Sequence, residues 1–188
     1  MCQAVYFGDT RTQNLFSNDD TGTTITASGD DMYTDQRGPN AGDGASAVAT
    51  FIAVNSNSLN TAIELQGSQK IVGLATSGTE TGISVGGSSA GSTAALLLNG
   101  ADLQINLLTR AGTGIFISGN GVAPLAGPYS ASATLTGGTK VAIDATLLGI
   151  YVEKGGAWNG NDPTGSLTIG AAISPNDGIK LVNAGSFV

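Results

Sequence analysis

Apolar and polar residues alternate in short runs along most of this chain. In Leu103-Gln104-Ile105-Asn106-Leu107 the aliphatic residues share one face and the amides the other, the period of two that marks a half-buried strand. The pattern also recurs at an interval of about 32 residues. Thr61-Ala62-Ile63-Glu64-Leu65, Lys70-Ile71-Val72-Gly73-Leu74 and Thr81-Gly82-Ile83-Ser84-Val85 are followed by Thr93-Ala94-Ala95-Leu96-Leu97-Leu98, Leu103 to Leu107 and Thr113-Gly114-Ile115-Phe116-Ile117. Each copy predicts three strands. Two architectures fit: an antiparallel β-sandwich or jelly roll if the turns are hairpins, and a short parallel β-helix if each copy is one coil. Asn99-Gly100 between two apolar runs is a strong hairpin signal, because a type I′ turn needs positive φ at both central residues. It favours the antiparallel sandwich.

The flanks read differently. Residues 1–45 are polar and turn-rich, with Gly38-Pro39-Asn40-Ala41-Gly42-Asp43-Gly44 at their end, and are expected to form an N-terminal arm and loops. Residues 46–121 hold the repeat and form the predicted β domain. Gly121 to Pro128 reads as a linker. Residues 122–188 carry five further short strands, including Leu148-Gly149-Ile150-Tyr151-Val152 and Ile179-Lys180-Leu181-Val182, which predict a small C-terminal β-sandwich.

Composition strengthens the all-β expectation. Gly fills 29 of 188 positions, about twice the usual ~7%, while charged residues are only 11% against ~25%. Glycine disfavours helix interiors and suits turns. The net charge of −7 and the absence of any Lys/Arg cluster argue against a nucleic-acid partner. No stretch approaches the ~18 apolar residues of a membrane helix, so no membrane partner is expected. Met1 to Asp9 lacks the basic and apolar regions of a signal peptide, which predicts synthesis in the cytoplasm. Cys2 is the single cysteine and rules out an intramolecular disulfide.

A search for chemistry predicts a protein that is not an enzyme. With no histidine, every His-dependent triad and the commonest metal ligand are missing. Gly87-Ser88-Ser89-Ala90-Gly91 matches the nucleophile-elbow spacing, but it lies in a Gly/Ser-rich turn without a base. Asp19-Asp20 and Asp30-Asp31 are adjacent rather than facing pairs, and the regular ligand spacing of a calcium loop is absent. The expectation is therefore no catalytic, cofactor-binding or metal-binding residues and no cofactor. The possible interface residues are Trp158, in a Gly-rich loop, and the apolar end Phe187 and Val188; Trp158 reads equally as a lid over the local core.

Leu148 to Val152, Gly165-Ser166-Leu167-Thr168-Ile169 and Gly178 to Val182 resemble small β-sandwich modules of tailed-bacteriophage virion proteins, found in capsid decoration (cement) proteins and in head or tail fibres. The resemblance covers roughly residues 130–188 and implies a non-enzymatic virion structural protein. On that basis the chain is expected to self-associate, as a homotrimer, and to bind a major capsid protein or other virion protein, stabilising the shell from a polar arm that orders on binding. The alternative it implies is a fibre or adhesin segment that binds a host receptor or glycan.

Overall fold

A computed structural model of the chain describes residues 3–7, 14–34, 50–73, 79–89, 91–107, 111–121, 130–172, 175–182 and 185–187. Among these, the regular elements are all strands: β1 (Gln3–Phe7), β2 (Asn14–Asp19), β3 (Thr24–Thr34), β4 (Thr50–Ser56), β5 (Thr61–Gly73), β6 (Thr79–Gly87), β7 (Ala94–Leu107), β8 (Ala111–Ser118), β9 (Ala131–Thr136), β10 (Lys140–Ala145), β11 (Leu148–Glu153), β12 (Ala157–Asn159), β13 (Ser166–Ile169), β14 (Asp177–Val182) and β15 (Ser186–Phe187). Every pairing between them is parallel.

The chain is thus a β-solenoid. The antiparallel sandwich expected from the sequence, with its separate small C-terminal sandwich, is incorrect, and the parallel β-helix alternative extends over the whole described chain. Each coil lays down three strand segments. The first stack holds the first half of β3, β5 and β7, then β9, β12 and β15. The second holds β1, the second halves of β3, β5 and β7, then β10 and β13. The third, a separate sheet, runs β14-β11-β8-β6-β4-β2. β2 and β3 lie within residues 1–45, so residues 14–34 of the expected arm are paired solenoid strands. The expected linker at 122–128 lies outside the described residues.

Asn99-Gly100 shows why the hairpin reading failed. Gly100 adopts φ 63, while Asn99 has no positive φ, so a type I′ turn does not form. The single left-handed residue bends β7 through a corner. Both of its arms then go on pairing with the same neighbouring coil, at Leu65↔Leu98 and Gly67↔Ala101. Gly29, Gly67 and the Gly137-Gly138 pair make the equivalent corner in other coils, all at positive φ.

Inside, aliphatic residues stack in columns along the solenoid axis. One column of the third stack is Ile52, Ile83, Ile115, Ile150 and Ile179; the next is Val54, Val85, Ile117, Val152 and Leu181. Leu103, Val141 and Leu167 form a column of the second stack. As far as Ile150 and Val152, the third-stack columns join Leu65, Leu96, Leu98, Leu103, Val141 and Trp158 in one core cluster, with Leu167 packed against it. Beside the isoleucine column runs a glycine ladder, Gly82, Gly114, Gly149 and Gly178. A Cβ at Gly82 would stand 2.6 Å from the Gly114 carbonyl oxygen and 2.8 Å from Ile105 Cγ2. The ladder keeps the backbone low enough for the isoleucines of the second stack to fill the interior.

Side chains also stitch one coil to the next. Asn18 donates to the Ala62 carbonyl (2.7 Å), Thr139 Oγ1 donates to the Leu98 carbonyl (2.7 Å), and Asn60 Oδ1 accepts from the Thr93 N–H (3.0 Å). Asp20 is the most heavily used. Its carboxylate accepts the Ser58 N–H (2.8 Å) and hydroxyl (2.7 Å), the Leu59 N–H (2.7 Å) and the Asn57 N–H (3.0 Å) of the following coil. These donors, led by the Ser58 amide, favour the ionised form and hold the carboxyl far below the usual aspartate range. Because the folded pKa is depressed, the stabilisation is complete above about pH 4 and is lost as acid protonates the carboxylate. Asp20→Ala is expected to lower Tm at neutral pH and to flatten its decline between about pH 4 and pH 2. Equal acid slopes for the two proteins would show that Asp20 does not clamp the coils.

Candidate functional site

The third stack ends at a corner where a cavity of about 470 Å³ opens along the solenoid axis, crossing five strands from Asp19 at the end of β2 to Lys154 just beyond β11. Its construction follows from strand register. Asp19, Asn55, Gly86, Ser118 and Glu153 occupy one outward column, each a coil above the last. Asn55 Nδ2 donates to Asp19 Oδ1 (2.6 Å) at one end. Gly86 leaves a step without a side chain, since a Cβ there would meet only Asn55 Oδ1, at 3.0 Å. Gly87 keeps the wall tight against the backbone of Ser130.

The far end carries a fixed polar cluster. Glu153 accepts from Ser118 Oγ (3.1 Å), from the Tyr151 hydroxyl (2.9 Å) and from Lys154 Nζ (3.3 Å). Partial burial pushes its carboxyl up, but the Tyr151, Ser118 and Lys154 hydrogen bonds and the Lys154 charge outweigh that and hold it below the usual range. The same bond to Glu153, with burial and the carboxylate charge, raises the Tyr151 phenol, which stays a protonated donor. One outward column over, Tyr151 lies in register with Phe116, ring centroids 5.3 Å apart and planes at 37°. Both rings are half-buried, so the outer face of β8 and β11 presents an aromatic surface beside the polar groove.

This arrangement has the make-up of a binding surface: an apolar patch, a few oriented donors and acceptors, and an open groove. Asp19 and Glu153 sit four coil steps apart, about 19 Å at ~4.8 Å per step, well beyond the ~6.5–9.5 Å of an inverting glycosidase pair. Asp31 is buried and accepts from Gln69 Nε2 (3.3 Å), and Asp30 is its chain neighbour on β3, so Asp30-Asp31 joins neither. Among the described residues no three His, Cys, Asp or Glu side chains come together as a metal site.

Of the residues picked from the sequence, Trp158 and Phe187 lie in the last two coils, in the first stack, a different face of the solenoid from the groove. Trp158 sits in β12, 1% exposed, with its ring stacked on Phe187 at 6.0 Å and 11°. Val188 lies outside the described residues. Phe116, Ser118, Tyr151, Glu153 and Lys154 were not picked out at all. The signal was present: aligning Thr113-Gly114-Ile115 with Leu148-Gly149-Ile150 in parallel register puts Phe116 beside Tyr151 and Ser118 beside Glu153.

The class defined by fold and site is a parallel β-solenoid with a lateral polar groove flanked by aromatic residues. No protein-family model, curated protein or solved structure matches the chain.

Proposed function

We propose that this chain is a non-enzymatic structural segment of a virion fibre, a rigid rod whose lateral groove binds a surface saccharide. The observation that carries the reading is the Phe116–Tyr151 pair beside the Ser118–Glu153–Lys154 cluster, of which Ser118 and Lys154 line the groove. A sugar ring has an apolar C–H face that suits an aromatic ring and hydroxyls that suit a carboxylate, a serine and amides. Lys154 is already engaged by Glu153, and Asp19 lines the groove, so the ligand is a saccharide without anionic groups. The step between coils, ~4.8 Å, is close to the length of one sugar residue, which favours a chain lying along the axis. The fibre form fits better than a shell cement here. The cement reading relied on a free N-terminal arm, and residues 14–34 are built into the solenoid.

Binding of the purified chain to immobilised host polysaccharide, followed by titration with defined neutral oligosaccharides, tests the reading. Gly86→Leu, which fills the open step, and Tyr151→Ala, which removes half the aromatic surface, should each weaken binding by about tenfold or more, ~1.4 kcal/mol. Gly86→Leu should leave Tm nearly unchanged, while Tyr151→Ala also lowers it by removing the Phe116 and Glu153 contacts. Unaltered affinity in both variants, or no binding of any neutral saccharide, would overturn it.

A further inference from the structure

We propose that copies of this chain stack head to tail, the last coil of one copy seating the first coil of the next in a continuous solenoid. This rests on the two ends of the molecule and is independent of the saccharide reading.

At one end, among the described residues, β13, β14 and β15 are each hydrogen-bonded on one side only, so each presents a row of backbone N–H and C=O groups. The core columns run out to the surface there. Ile179 and Leu181, the last members of the third-stack columns, are 43% and 47% exposed. A cavity of about 230 Å³ is lined by Leu135, Trp158, Leu167 and Phe187 of the other two stacks, with Asp162 and Ser166. At the opposite end β1 and β2 are likewise paired on one side only among the described residues, and among them the first half of β3 is the edge of the first stack.

The two ends match in three ways. First, the spiral ramps agree. β15 lies in the first stack and β1 in the second, so β1 of a following copy takes the next position on the ramp, over β13. Its β2 then falls over β14, and the first half of its β3 over β15. Second, the columns agree. The column of Ile179 runs back through Ile150, Ile115, Ile83 and Ile52 to Phe16. That of Phe187 runs through Trp158, Ala133, Leu96 and Ile63 to Ile25, itself half-buried at the edge. Stacking therefore sets Phe16 on Ile179 and Ile25 on Phe187, apolar on apolar, while Leu181 meets Asn18, whose amide is already turned to the Thr23 and Ala62 carbonyls. Third, the charges agree. In that register Ser17 of the following copy stands over Lys180 and its Asp19 over Val182, which places Asp19 diagonally opposite Lys180 on the same outward face. Among the described residues Lys180 otherwise pairs with the exposed Asp177, at 3.5 Å.

Such a contact joins two different surfaces and does not close on itself, so it grows into a filament. With six layers in the third stack at ~4.8 Å each, the axial repeat is about 29 Å. Electron microscopy and light scattering of the purified chain over a range of concentrations supply the test. Unbranched filaments with a repeat of about 29 Å are expected. Ile179→Asp combined with Leu181→Asp should leave a monomer with an unshifted melting profile. In case that pair disturbs the last coil, Lys180→Glu should raise the concentration needed for assembly about tenfold, and adding Asp19→Lys should restore it. A wild-type monomer at all concentrations, a closed ring of three copies, or filaments indifferent to all these substitutions would overturn the proposal.

Discussion

Replacing Gly114 with alanine is expected to destabilise this protein by about 3 kcal/mol, near the upper end of what one inserted methyl does to a packed interior. The new Cβ would stand 2.6 Å from the Gly149 carbonyl oxygen and would strike Ile143 Cγ2. Neither neighbour can retreat easily. Gly149 is backbone of the next coil, and Ile143 is 1% exposed within the core column of the second stack. For a domain of this size the loss corresponds to a fall in Tm of about 6–12 °C. The control is built into the same ladder. Gly178 occupies the equivalent position in the last coil, where an added Cβ meets nothing within 4 Å. Gly178→Ala should therefore stay within about 0.5 kcal/mol of wild type. Similar melting temperatures for the two variants would show that the ladder is not set by contact between coils.

The second large effect concerns Trp158. Its side chain is almost fully buried where the core runs out, under Phe187 and above Ala133. Trp158→Ala should cost about 4 kcal/mol, from lost burial together with the cavity left behind. Tm should fall by about 8–16 °C, with Trp158→Phe recovering most of it. A drop of less than about 3 °C would mean that the ring contributes little to folding, and would return Trp158 to the role of a contact for other molecules.

The sequence revealed the elements far better than their arrangement. Alternation in Leu103 to Leu107 is the same whether a strand's neighbours run parallel or antiparallel, so it identifies β7 and is silent on β9 or β10. Direction had to come from turn chemistry, and Asn99-Gly100 misled because one left-handed glycine makes either a hairpin or a corner. The repeat was visible only where neighbouring coils have similar lengths. Ile83 and Ile115 lie 32 residues apart, but Ile115 to Ile150 is 35 and Ile150 to Ile179 is 29, because the corners differ in size. The C-terminal third therefore read as a separate domain. The groove was hidden for the same reason: Ser118 and Glu153 are 35 residues apart and meet only once register is known.

A groove built across coils has a length counted in coils. Each coil added or removed between β4 and β11 would lengthen or shorten it by one inter-strand step and leave the neighbouring contacts intact, because each coil touches chiefly the coils on either side. The fold is in effect a molecular ruler, in which the size of ligand that can be measured along the rod is set by how many times the coil has been copied.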